Sequence, residues 1–106
     1  MESAGPEGVG PAAGAGAASS RMLVITNQRG LHARAAARFV KCIERFEAEV
    51  TVAKKDAVVS GVSIMGLMML AAGPGTMIEV SATGRDARAV LDALEALVRD
   101  KFGEDV

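Results

Sequence analysis

Aromatic side chains are scarce in this sequence: three Phe stand among 106 residues, with neither Trp nor Tyr. So few rings exclude the stacking surfaces typical of single-stranded nucleic acid binding and an aromatic cage for a cation or sugar. The single Cys42 excludes an intrachain disulfide, and one Cys with one His cannot form a structural zinc site. No apolar run approaches the ~20 residues of a membrane-spanning helix. We therefore expect a cytoplasmic protein that needs no metal, cofactor or membrane.

Charge is nearly balanced over the whole chain but unevenly distributed along it. The formal net charge is −1, which argues against generic binding to a nucleic acid duplex. Residues 21–55 contain eight basic and three acidic side chains, whereas residues 56–106 contain four and eight. The first of these segments should carry a positive field suited to an anionic group or an acidic partner.

The first 20 residues differ in composition from the rest of the chain. Residues 1–20 include six Ala, five Gly, three Ser and two Pro, and they contain no Lys, Arg, Leu, Ile or Phe. A segment of this kind buries too little apolar surface to offset its ordering entropy. We therefore predict a disordered tail over 1–20, without the features of a secretory signal, and one folded domain over 21–106.

Hydrophobic periodicity predicts the elements of that domain. Apolar side chains at helical spacing predict helices from His32 to Phe46 and from Ala87 to Val98, the second with Asp86 as its N-cap. A third, wholly apolar helix over 63–70 ends at Gly73-Pro74-Gly75. Short β-rich runs predict four strands, over 22–26, 50–53, 57–59 and 77–82. The order β-α-β-β-α-β-α indicates an α+β fold, with three helices on one face of a mainly antiparallel sheet.

The lone histidine lies at a predicted helix start. Gly30 permits the turn from strand to helix, and the first helix amides, which have no intrahelical partners, form an anion site with the helix dipole. A phosphate carried on His32 would sit at those amides, and Arg34 would add a charge-assisted fork. The alternative is a surface histidine that caps the helix, with arginines that serve only solubility.

The helix over 63–70 has no polar face, although a two-layer fold buries only one side. Some of its apolar side chains should be exposed and form an adaptable docking surface, unless a loop or the tail covers them: Ile64, Met65, Met68 and Met69. Ser63 is the predicted N-cap of this helix. Cys42, among apolar positions of the first helix, is predicted to be a small core residue.

Two motifs resemble those of a known family. The string Gly30-Leu31-His32-Ala33-Arg34, followed by Ala35-Ala36-Ala37-Arg38-Phe39-Val40, closely resembles the active-site segment of HPr, the phosphocarrier of the bacterial phosphoenolpyruvate-dependent phosphotransferase system. The string Ser63-Ile64-Met65-Gly66-Leu67-Met68 looks like the regulatory-serine helix of that family. The resemblance covers about residues 21–103 and implies an open-faced β-sandwich of four antiparallel strands with three helices.

The resemblance also implies roles for individual residues. His32 would accept a phosphoryl group at Nδ1 from phosphorylated enzyme I and pass it to a IIA-type domain, with Arg34 stabilising the transferred charge. Ser63 would be phosphorylated by an HPr kinase/phosphorylase, and Ile64, Met65 and Met68 would contact the partners. Such a protein is a monomeric carrier and not an enzyme.

Many sugar-type HPr proteins have Pro at the position of Ala35, directly after the Arg of the motif. Ala at this position resembles the HPr variants of nitrogen-related phosphotransferase systems. Whether the downstream acceptor is a sugar permease or a nitrogen regulator stays open. A non-covalent anion-binding or regulatory module of the same fold is the alternative function.

Overall fold

A computed structural model describes residues 18–106. Its elements, in chain order, are β1 (Ser19–Val24), α1 (Ala33–Ile43), β2 (Glu49–Lys54), β3 (Ala57–Ser60), α2 (Ile64–Met69), β4 (Met77–Thr83), α3 (Ala87–Arg99) and a 3₁₀ turn (Lys101–Gly103). Most of the predicted tail, residues 1–17, lies outside the described residues. Strand β1 begins at Ser19, two residues before the predicted start of the folded domain at residue 21. None of the described helices is both long and apolar enough to span a membrane.

The four strands form one sheet in the order β1-β4-β2-β3. Every neighbouring pair is antiparallel, with Leu23 opposite Ile78 and Val52 opposite both Val80 and Val59. The two central strands, β4 and β2, are not consecutive in the chain, so α2 and its flanking loops cross from the β3 edge to the middle of the sheet. The predicted antiparallel sheet with three helices is confirmed.

One face of the sheet is buried beneath the helices and the other is open. Alternate strand residues are buried against apolar stripes of α1 and α3, in a core that includes Leu23, Val50, Val52, Ile78, Val80, Phe39, Ile43, Val90, Leu91 and Leu94. The intervening residues, such as Met22, Val24 and Met77, are exposed. This period-two pattern is what a sheet covered on one side requires.

Asp86 lies at the predicted N-cap position of α3, but the predicted hydrogen bond of its side chain to the helix amides is wrong, since no such bond forms. Its Oδ2 instead accepts from the backbone N–H of Glu47, at 2.8 Å. The carboxylate therefore fastens the α1–β2 connection to the start of α3, a tertiary contact that competes with the local cap.

Ion pairs on α3 are only partly those that its spacing predicts. Arg99 pairs with Glu95 at 2.8 Å, as expected one helical turn apart. Arg88 precedes Asp92 by the same spacing, but Asp92 is bound by Arg21 of β1 at 2.6 Å, and Arg21 also reaches Glu95 at 2.8 Å. One arginine of the sheet thus bridges two carboxylates of the helix above it.

The β1–α1 loop is fixed by a close backbone approach. Gly30 has a φ of +67°, in the left-handed region that favours glycine. A Cβ at this position would lie well inside van der Waals contact with the carbonyl oxygen of Ala72. That same oxygen accepts from the N–H of Leu31 at 3.0 Å. The approach holds the start of α1 against the α2–β4 loop.

The C-terminal turn folds back toward this loop. Lys101 and Phe102 both have left-handed backbone conformations, with φ values of 57° and 56°, and the Phe102 ring is fully buried. Arg38 of α1 donates to the carbonyl oxygen of Phe102. Beyond the turn, the N–H of Gln28 donates to the carbonyl oxygen of Val106 at 3.1 Å. The last residues therefore lie against the loop that precedes His32.

Replacing Gly30 with Ala is expected to lower the free energy of unfolding by about 2–4 kcal/mol, because the new methyl group meets both left-handed strain and the Ala72 carbonyl. Urea denaturation measures the change. Gly73→Ala is the matched control, since a Cβ at Gly73 meets nothing within 4 Å. Equal stabilities of the two variants would contradict the proposed close approach.

Candidate functional site

His32 lies at the N-cap position of α1 with an extended backbone, at φ −77° and ψ 179°. Its carbonyl oxygen accepts the first helical bond, from the N–H of Ala36 at 2.8 Å. Its side chain makes no bond to the helix amides, so the interpretation as a capping histidine is wrong. The amides of the first turn, which lack intrahelical partners, are therefore not used by this ring and point toward the space where an anion would bind.

The imidazole ring is instead held by a carboxylate from the C-terminal turn. Nε2 of His32 donates to Oε2 of Glu104, and each side chain is 16% exposed. An ionised carboxylate can only accept hydrogen bonds, so the ring proton lies on Nε2. In the neutral ring this leaves the lone pair on Nδ1, the nitrogen that can act as a nucleophile.

The surroundings of Glu104 keep it ionised. Burial alone would raise the pKa of Glu104, but hydrogen bonds from Asn27 and His32, together with the attraction of His32 and Arg29, outweigh burial and lower this pKa. Glu104 therefore presents a full negative charge to the ring at neutral pH.

Asn27 connects the loop to the C-terminal turn. Its side chain is fully buried, and Nδ2 donates to the carbonyl oxygen of Gly30 at 2.8 Å and to Oε1 of Glu104 at 3.0 Å. Its Oδ1 is buried without a hydrogen-bond partner within residues 18–106. The two amide hydrogens thus determine where the glycine turn and the carboxylate lie relative to each other.

Three arginines line an open cleft around His32: Arg29, Arg34 and Arg38, facing the segment Gly103–Val106. Arg38 is engaged with the Phe102 carbonyl, whereas Arg29 and Arg34 are exposed. Guanidinium groups beside a helix N-terminus favour an anion with several oxygens, such as phosphate. Within the described part of the chain, no group of three His, Cys, Asp or Glu side chains is placed to hold a metal ion.

The second motif forms the start of α2. Oγ of Ser63 accepts from the N–H of Gly66 at 3.0 Å, which confirms the predicted N-cap. At the other end of this helix, Nζ of Lys54 donates to the carbonyl oxygens of Leu70 and Ala71, at 2.9 and 3.2 Å. A positive group is favourable at a helix C-terminus, so both ends of α2 are satisfied by side chains.

The exposed side of α2 is apolar, as predicted. Within α2 only Leu67 is buried, and four side chains with exposures of 40%, 70%, 40% and 78% form what we call the apolar face of α2: Ile64, Met65, Met68 and Met69. The α2–β4 loop at its end provides the carbonyl that contacts Leu31. The apolar face of α2 and the histidine are therefore joined through one loop contact.

Cys42 is buried in the core, as predicted, and Ala35 is fully buried in the first turn of α1. Glu104, Asn27 and Arg29 were not identified as site residues. Only Gly103, after the end of α3, signals a turn there, and nothing in the local pattern indicates that the turn returns to His32.

Comparisons with known proteins identify the family of this chain. Residues 19–100 match the PTS-HPr family, described as "PTS HPr component phosphorylation site". A phosphocarrier protein HPr of Neisseria meningitidis is 49% identical over 80 residues, covering 76% of this chain and 90% of the relative. A phosphocarrier protein NPr of Shewanella violacea is 43% identical over 84 residues, covering 79% and 92%.

A solved structure of an HPr protein has the same fold as this chain. The crystal structure of HPr-C-His from Thermoanaerobacter tengcongensis matches with a TM-score of 0.79 and 38% identity, covering 83% of this chain and 99% of that one. The sequence matches and the shared fold extend over nearly all the described residues. This chain belongs to the HPr family, whose members are phosphocarrier proteins and not enzymes.

Proposed function

We propose that this protein accepts a phosphoryl group on His32 from phosphorylated enzyme I and passes it to a IIA-type domain. The observation that carries the proposal is the hydrogen bond from Nε2 of His32 to Glu104, which leaves Nδ1 as the nucleophile at the start of α1. In the transfer, the Nδ1 lone pair forms a new N–P bond. The bond between phosphorus and the donor nitrogen breaks, and its electron pair returns to the donor.

Electrostatics around His32 support a covalently held phosphate. The phosphoryl group brings about two negative charges, which the amides at the start of α1 and the guanidinium groups of Arg29 and Arg34 offset. Little other covalent chemistry is required in phosphoryl transfer, so positioning and charge stabilisation are the main contributions of the protein.

The apolar face of α2 supports the protein–protein part of the proposal. Exposed apolar side chains close to a reactive group are typical of a contact surface, and Met side chains adapt to more than one partner. The segment 21–55, which contains His32, has an excess of basic side chains. We expect the partners to bring an apolar patch bordered by acidic residues.

His32→Ala should abolish phosphorylation, because it removes the acceptor nitrogen and leaves the core residues unchanged. Incubation with labelled phosphoenolpyruvate and enzyme I measures this. The unaltered protein should acquire one acid-labile, alkali-stable phosphate. Circular dichroism of the variant checks that the fold is retained.

The same assay separates the carrier from a non-covalent anion-binding module. A module of that kind would bind phosphate reversibly and would acquire no label. Absence of label on the unaltered protein, while a known HPr is labelled in parallel, would refute the carrier function.

Arg34→Ala should slow transfer to and from His32 by about 10-fold or more, because one charge-assisted interaction with the phosphoryl oxygens is lost. Rapid-quench measurement of label transfer gives the rate. Arg88→Ala is the matched control, since Arg88 is exposed on α3 and lies outside the cleft. If both variants transferred at the original rate, Arg34 would have no electrostatic role.

We further propose that Ser63 is a regulatory phosphorylation site for an HPr kinase/phosphorylase. A phosphate there adds about −1.5 to −2 charges at the start of α2, beside its apolar face. This charge is compatible with the helix N-terminus but repels an acidic partner surface. Phosphorylation of Ser63 should therefore lower the rate at which His32 is phosphorylated.

Ser63→Ala should prevent ATP-dependent labelling by an HPr kinase and should also lower the free energy of unfolding by about 0.5–2 kcal/mol, because the N-cap is lost. Mass spectrometry locates the label, and urea denaturation gives the stability. Ser60→Ala, which changes a neighbouring exposed serine, should still be labelled. Label that persists in Ser63→Ala would place the regulatory site elsewhere.

A further inference from the structure

We infer that Glu104 is a positioning residue that selects Nδ1 of His32 as the phosphoryl acceptor, by occupying Nε2 and keeping the ring proton there. The inference rests on the proposed carrier function and deepens it. It concerns which nitrogen reacts and which residue decides this. The hydrogen bond between Nε2 and the Glu104 carboxylate is the contact on which it depends.

Glu104 is held in place before any partner arrives. Its Oε1 accepts from the buried Asn27 amide at 3.0 Å, while its Oε2 accepts from His32. The turn that presents it is fixed by the buried Phe102 ring and by the bond from Arg38 to the Phe102 carbonyl. A carboxylate with both oxygens engaged loses little freedom when the ring changes its charge, so the contact is preorganised.

The charge balance of the reaction explains why the position of this proton matters. When Nδ1 of the neutral ring forms the N–P bond, the ring becomes an imidazolium that still carries its proton on Nε2. The negative charge of Glu104 is already in contact with that N–H and offsets the new positive charge. No proton has to leave His32 during the transfer, and none has to be supplied when the phosphoryl group moves on.

Reaction at Nε2 is opposed by the same carboxylate. That nitrogen has no free lone pair while it donates to Glu104, and an incoming phosphoryl group would meet the negative charge of the carboxylate. A phosphoryl group on Nδ1 would instead share the cleft that the exposed Arg29 and Arg34 line, at the N-cap position of α1. Glu104 therefore makes one nitrogen reactive and blocks the other.

Phosphoramidate tests the inference without any protein partner. This small donor phosphorylates histidine directly, and ³¹P NMR distinguishes Nδ1-phosphohistidine from Nε2-phosphohistidine. The unaltered protein should give the Nδ1 product. In Glu104→Ala the ratio of Nε2 to Nδ1 product should rise by at least about tenfold, which corresponds to the loss of one hydrogen bond to a charged group.

Two further variants separate charge from shape. Glu104→Gln keeps an oxygen that accepts from Nε2 but removes the charge, so it should retain Nδ1 selection better than Glu104→Ala and transfer more slowly than the unaltered protein. Asp100→Ala removes an exposed carboxylate at the end of α3, outside the cleft, and should leave the product ratio unchanged. An Asp100→Ala protein with the altered ratio would show that net charge, and not the contact, selects the nitrogen.

A second measurement determines the tautomer of the His32 ring directly. The ¹⁵N chemical shifts of the imidazole in the unphosphorylated protein report which nitrogen carries the proton. The unaltered protein should show the Nε2–H form, and Glu104→Ala should show an increased fraction of the Nδ1–H form. An unchanged product ratio and unchanged ring shifts in Glu104→Ala would overturn the inference.

These outcomes are distinct from a failure of the proposed function. One outcome is that enzyme I fails to label the protein while the ratio of phosphoramidate products and the ¹⁵N shifts of the ring still change in the Glu104 variants. In that case the carrier function is wrong and the positioning role stands. If enzyme I labels the unaltered protein and the Glu104 variants give the same products and shifts, the carrier function stands and the positioning role is wrong.

Discussion

A single buried amide, that of Asn27, joins the two parts of the chain that make the histidine site. One of its hydrogens fixes the Gly30 carbonyl and so the turn into α1, and the other fixes the carboxylate of Glu104. The ring of His32 is therefore positioned by both groups that Asn27 holds.

Local sequence patterns were sufficient to predict the helices and strands of the fold and one helix cap. Alternating apolar residues in β2 and β4, and the helical stripes of α1 and α3, report burial on one face directly, so the sheet and its helix layer follow from them. The Ser63 cap is equally local, since the hydroxyl and its partner amide are three residues apart. Asp86 had the same local signal, but the N–H of Glu47, distant in sequence, competes for its carboxylate. Such competition is a property of packing and is absent from the pattern.

The residues of the histidine site also fall into two groups, those that the sequence pattern identifies and those that only the fold brings to the site. Gly30, His32 and Arg34 are neighbours in sequence, so their chemistry could be inferred together before the fold was known. Glu104 lies 72 residues from His32, and it reaches the ring only because two residues that are not glycine, Lys101 and Phe102, adopt left-handed conformations. Burial of the Phe102 ring and the bond from Arg38 stabilise that turn. Neither contact leaves a periodic signal, and the turn therefore could not be predicted.

Helix α2 has only six residues, well below the length of about 12–15 at which an isolated helix becomes marginally stable. Its geometry is supplied by Ser63 at one end, Lys54 at the other, and the buried Leu67 between them. Every residue of such a short helix lies within about one turn of a terminus. A chemical change at either end consequently affects the conformation of the whole helix. The exposed apolar side chains then change their arrangement together.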